Sequence, residues 1–155
     1  MGTETLMSQT SAERNTAFGY QAGRANVTGN YNSFFGFGAG RGTTSGVYAG
    51  NTGLGYQALY TLDSGNNNTA IGRNSGYSLT SGYENVLIGT NAAYTTTGLQ
   101  HAVVIGMNAG YNITTNAEGV VIIGNEAGHA LTTGRYNLAI GMNALRSVTT
   151  SNYNV

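Results

Sequence analysis

The 155-residue chain contains no cysteine, proline, lysine or tryptophan. Without cysteine there can be no disulfide framework and no thiolate-ligated metal. Charge is also scarce, six basic residues against six acidic, for a formal net charge of zero. The arginines are scattered from Arg14 to Arg146 and form no basic stripe that would neutralise phosphates, so nucleic acid is not an expected partner. Residues 1–15 show neither the basic start nor the apolar stretch of a secretory signal. The longest apolar run, Val120–Ile123, is far below the length of a membrane span, so no membrane insertion is expected.

What is present is glycine (25 residues), with abundant Asn and Thr, eleven Tyr and four Phe. Aromatic and branched aliphatic residues in such numbers argue against disorder. Aligning the chain on Gly19, Gly36, Gly55, Gly72, Gly89, Gly106, Gly124 and Gly141 shows why. These anchors recur every 17 residues, with one step of 19 and one of 18. A large apolar residue precedes each anchor, from Phe18 and Phe35 to Ile123 and Ile140. Three places after it stands a small one, Ala in every unit except Ser75. Four places before it Asn recurs as Asn15, Asn32, Asn51, Asn68, Asn85 and Asn137, replaced by Ala102 and Val120 in two units.

A 17-residue period is too short for a pair of helices, and Gly, Asn and Thr are poor helix residues. It suits one coil of an all-β parallel solenoid, a β-helix or β-roll of about eight coils over residues 15–155. Residues 1–14 lack the repeat and are expected to be a lead or linker, ordered or disordered. Stacked coils place equivalent residues about 4.8 Å apart, so the Asn column is expected to form a ladder of amide hydrogen bonds. In Asn85–Ile88 beyond its Asn, and in Ala102–Ile105 and Val120–Ile123, neighbouring positions are all apolar, so both faces of these strands should be covered. Another copy of the chain is the expected cover, in a trimer with Leu87, Val104 and Ile122 towards the partner. Asn154 and Val155 begin a ninth unit, and the fibre is expected to continue beyond them.

The units Asn15–Gly23, Asn51–Leu59 and Asn137–Leu145, with their Thr-Thr-Gly steps, resemble repeats of phage tail-fibre-like proteins. They are also similar to the Ala-Ile-Gly repeats of trimeric autotransporter adhesin heads. The resemblance spans residues 15–155. It implies a structural fibre segment on a virion, with other fibre or tail proteins as partners. A bacterial surface adhesin or extracellular filament is the alternative. The missing export signal favours the phage.

No catalytic constellation emerges, and neither enzyme activity nor a cofactor is expected. The acids do not pair in neighbouring coils, and His101 and His129 fall in different columns; only Glu118, Glu126 and His129 approach a cluster. One column stands out five places after the anchor: Tyr60, Tyr77, Tyr94, Tyr111 and His129, with Arg24, Arg41 and Arg146 at its ends. It is either an aromatic stripe that contacts a cell-surface glycan or a ladder of rings stacked on themselves. A second column, Thr44-Ser45, Thr80-Ser81, Thr114-Thr115, Thr132-Thr133 and Thr149-Thr150, raises ice binding. Adjacent residues of a strand face opposite ways, so these pairs would not form one outward row.

Overall fold

The computed structural model describes residues 2–43, 46–114 and 117–155. Thr44, Ser45 and Thr115 of the second column lie outside the described residues. Eight three-residue strands, β1 (Thr16–Phe18), β2 (Ser33–Phe35), β3 (Thr52–Leu54), β4 (Thr69–Ile71), β5 (Val86–Ile88), β6 (Val103–Ile105), β7 (Val121–Ile123) and β8 (Leu138–Ile140), make one sheet. Strand order is chain order and every pairing is parallel. The chain is therefore an all-β solenoid, with seven turns separating β1 from β8. Equivalent residues pair throughout, Leu87 with Val104 and Val104 with Ile122 among them.

The anchor glycines make the tight winding possible. Gly19 to Gly141 hold φ between +119° and +137°, where a side chain is strained. A Cβ on Gly89 would lie 2.6 Å from the carbonyl oxygen of Gly106 in the next coil. Further along each coil the backbone turns through left-handed residues, Asn74, Asn91 and Asn108 among them, with φ of 58°, 56° and 54°. Asn tolerates that region better than most residues, which accounts for part of its abundance.

Within each strand the middle residue points inward. Phe34, Ala70, Leu87, Val104 and Ile122 are fully buried and pack against the Ala column and against Leu62, Leu79, Ile113 and Leu131. This reverses the expected orientation of Leu87, Val104 and Ile122, which fill the interior and face no partner. The outward residues are their neighbours, Val86 and Ile88, Val103 and Ile105, Val121 and Ile123. The physical reason is room. Small residues (Ala17, Gly53, Ala70, Ala139) occur in the middle column, and the lumen cannot hold the uniformly large column that precedes the anchors.

The first coils carry few aliphatic residues inside and are filled by Phe34 and Tyr48, packed edge to face at 6.1 Å. The hydroxyl of Tyr48 donates to the carbonyl of Gly40 at 2.8 Å. Residues 2–14 are a part-turn of the same solenoid rather than a free lead. Leu6 N–H donates to Ala22 O at 3.0 Å, Ser8 N–H to Arg24 O at 3.1 Å and Thr10 N–H to Val27 O at 3.0 Å. Gly2 stands 17 residues before Gly19, and a Cβ there would meet the Gly19 carbonyl carbon at 2.4 Å. That glycine, in register with the anchors, was the sequence signal for the extra part-turn.

Candidate functional surfaces

The Asn column is an internal ladder with one polarity. Asn68 Oδ1 accepts from the backbone N–H of Asn85 at 3.2 Å and from its Nδ2 at 2.8 Å. Asn68 Nδ2 in turn donates to Asn51 Oδ1 at 3.0 Å and to Gly82 O at 2.8 Å. Asn15, Asn32, Asn51 and Asn85 repeat the pattern, and Ala102 N–H closes it on Asn85 Oδ1 at 3.1 Å. After the apolar step at Ala102 and Val120 it resumes from Asn137 to Asn154. Asn32 to Asn85 and Asn137 are buried, so the column closes the coil and offers nothing to a ligand.

The Tyr column stands outside and stacks on itself. Ring centroids are 5.1 Å apart from Tyr60 to Tyr77, 5.0 Å to Tyr94, 5.1 Å to Tyr111 and 5.4 Å to His129, with planes within 14° of parallel. Arg41 caps the row, its guanidinium carbon 5.0 Å from the Tyr60 centroid. Both faces of Tyr77, Tyr94 and Tyr111 are thus covered by neighbouring rings, and only edges and phenol oxygens reach solvent. Stacking of a sugar on these faces has no room. Burial and the neighbouring Tyr94 and Tyr60 raise the Tyr77 phenol above its usual pKa.

A companion column lies beside the rings and was not recognised in the sequence. Arg146 Nε is 2.6 Å from Glu126 Oε2, Arg24 Nε is 3.1 Å from Glu4 Oε2, and Arg41 Nε donates to Gln21 Oε1 at 3.1 Å. Each pair spans 20 residues, joining the position five after an anchor to the position two after the previous one. The amides of that second column form their own ladder, Asn74 to Asn91 and Asn91 to Asn108, both at 3.1 Å. The constant spacing of 20 was the available signal.

The remaining candidates separate. Glu126 belongs to Arg146, while Glu118 lies 3.9 Å from His101 Nδ1, and Glu84 lies 3.3 Å from His101 Nε2. Glu118, Glu126 and His129 therefore do not form a cluster. The two carboxylates approach opposite nitrogens of one ring, and among the described residues no group of three His, Cys, Asp or Glu could hold a metal ion. In the Thr column, Thr80 Oγ1 donates to Thr97 O at 3.0 Å, Thr114 Oγ1 to Thr132 O at 3.2 Å and Thr132 Oγ1 to Thr149 O at 2.9 Å. These hydroxyls tie one coil to the next.

What is left open is the outer face of the sheet. The residues before the anchors, Phe18, Phe35, Leu54, Ile71 and Ile140, are 36–63% exposed. Val86, Val103 and Val121 stand beside them, and the flank carries Tyr20, Phe37 and Tyr56, stacked at 5.1 and 5.3 Å. Neither outward column of the strands contains a charged residue. Among the described residues no helix is long and apolar enough to cross a membrane. Compared with protein-family models, with curated proteins and with solved structures, the chain gives no significant match. Its class is set by the architecture alone: a parallel β-solenoid with ladder-stitched corners and one apolar side.

Proposed function

We propose that the chain is a rigid structural segment of an elongated fibre, which assembles with copies of itself through the outer face of its sheet. The observation that carries this reading is that face: uncharged along both strand columns, with a large apolar residue before every anchor over eight strands. Soluble monomers seldom expose a contiguous apolar patch of this size. Its large side chains and flanking rings offer roughly 1,000 Å² per copy, which is about 500 Å² towards each of two neighbours, against about 800 Å² per partner in a standard two-body interface. A trimer is the proposed state, because two adjacent outward columns let each copy meet one neighbour along the column before the anchors and the other along the Thr/Val column.

The coil-to-coil ladders supply stiffness, and the work of such a segment is spacing and assembly rather than turnover. The repeats' likeness to phage tail fibres makes a virion the proposed setting, with other tail proteins as partners. Glycan contact through the Tyr column is not favoured, since the rings are stacked on each other. Light scattering and small-angle X-ray scattering on the purified chain test the proposal. A rod with three times the 16.0 kDa chain mass is expected. A compact or monomeric particle at micromolar concentration would refute it.

A further inference from the structure

Tyr60, Tyr77, Tyr94 and Tyr111 set four phenols in one unbroken row, on successive coils with ring centroids 5.0–5.1 Å apart. Tyr136 and Tyr153 repeat the relation once, at 5.4 Å. Elsewhere the row is interrupted. Phe37 separates Tyr20 from Tyr56, Tyr83 meets the His101 ring edge on, and Tyr48 is buried against Phe34. The ladder hydroxyls are also free. Among the described residues no protein group hydrogen-bonds those of Tyr60, Tyr77, Tyr94 or Tyr111, whereas Tyr48 and Tyr83 donate theirs to Gly40 and Gln100.

We infer that this ladder is a site of oxidative coupling, where hydrogen peroxide and a one-electron oxidant of the peroxidase class join neighbouring tyrosines into dityrosine and staple one coil to the next. Each of two phenols gives an electron to the oxidant and its hydroxyl proton to water. The two radicals form one carbon–carbon bond between ortho carbons, and the hydrogens on those carbons move to the oxygens to restore both phenols. The two electrons and two protons released reduce one peroxide to two waters. The ortho carbons flank the hydroxyls, on the ring edges that reach solvent. Equivalent residues about 4.8 Å apart let the rings swing edge to edge without parting the coils. Reactants held at ring contact also couple faster than dilute chains meet. Each link closes a 17-residue loop in a chain that has no cysteine, and it constrains the unfolded chain as a disulfide would. A single chain suffices, so the inference does not depend on the self-association proposed above.

The folded chain is treated with hydrogen peroxide and a haem peroxidase, resolved by denaturing electrophoresis, and read by dityrosine fluorescence and mass spectrometry. The expected product runs as one chain and has lost two hydrogens per link. Its links join Tyr60 to Tyr77, Tyr77 to Tyr94, Tyr94 to Tyr111 or Tyr136 to Tyr153. Its urea midpoint should rise above that of the untreated chain. The variant Tyr77→Phe/Tyr111→Phe/Tyr153→Phe keeps every ring but leaves no two tyrosines on successive rungs of a column. It should lose most of the single-chain signal. Dityrosine confined to covalently joined chains would overturn the inference, as would a single-chain signal unchanged in the triple variant. So would a parent chain that forms none under conditions in which free tyrosine couples. A linked chain less stable than the untreated one would remove the stapling role.

Discussion

Tyr77 and Tyr94 stand one coil apart with ring centroids 5.0 Å from each other and planes 14° from parallel, so each ring covers a face of the other. Such contacts contribute about 0.5–1.5 kcal/mol beyond the area they bury. Tyr94 makes two, with Tyr77 and with Tyr111. Replacing Tyr94 by Ser should therefore lower stability by about 1–3 kcal/mol in urea unfolding, while Tyr94→Phe should stay near the parent. A glycan array probed with the parent chain and Tyr94→Ser should give the same profile. Loss of a specific glycan signal with unchanged stability would restore the stripe as a binding surface.

High pH should destabilise the fold. Burial holds the Tyr48 phenol well above its ordinary range, the Asn26 backbone hydrogen bond and nearby Arg41 offset this only in part, and Tyr77 is shifted the same way. An unfolded phenol loses its proton near pH 10 while the folded one keeps it. Above that pH the unfolded chain binds fewer protons than the native one, so stability falls as pH rises. Urea midpoints measured from about pH 8 to about pH 11 should drop across the upper part of that window. Tyr48→Phe should flatten the drop. It should also cost about 1 kcal/mol at neutral pH, for the lost bond to Gly40. A drop of the same size in Tyr48→Phe would assign it to other groups.

Two glycines of the anchor column should respond differently to alanine. At Gly89 a Cβ would sit 2.6 Å from the Gly106 carbonyl oxygen, whereas at Gly141 nothing lies within 4 Å. Both hold positive φ, 128° and 119°, so both substitutions strain the backbone. Only Gly89→Ala also pushes two coils apart. Its melting temperature should fall well below that of Gly141→Ala, with the single strain of Gly141→Ala costing about 1–2 kcal/mol. Equal losses would show that backbone strain, and not coil spacing, keeps the column glycine.

The solenoid was legible because stacking forces each column to keep its chemistry, and Asn15 to Asn85 or Phe18 to Ile140 can be read as columns without any structure. Which side of a strand faces inward was harder. In Val86–Ile88 every residue is apolar, so the period of two that normally marks the inner face is erased. The small residues at Ala17, Gly53, Ala70 and Ala139 carried the answer, since a narrow lumen sets an upper limit on size and open solvent does not. Contacts across a corner were harder still. Arg146 meets Glu126 at a spacing that is neither the 17-residue repeat nor a strand or helix period.

The strand β6 separates the two faces within adjacent residues, and charge placed on each should have opposite consequences. Val104 is fully buried among the Ala and Leu columns, and Ile105 beside it points out onto the apolar face. A carboxylate at Val104 would be desolvated with no partner, at a cost of several kcal/mol comparable with the whole stability of a domain this size. Val104→Asp should lose cooperative unfolding and the β signature in circular dichroism. In Ile105→Asp the carboxylate of a single copy remains hydrated, so the coil should stay intact. Where copies pack on this face, the same charge would be buried between them, three times over in a trimer, and like charges repel. Ile105→Asp should therefore keep its circular dichroism spectrum while its mass by light scattering drops to the single chain. Unfolding of both variants would show that the outward face is needed for the coil itself. An Ile105→Asp chain that stays oligomeric would move the interface to another side of the rod.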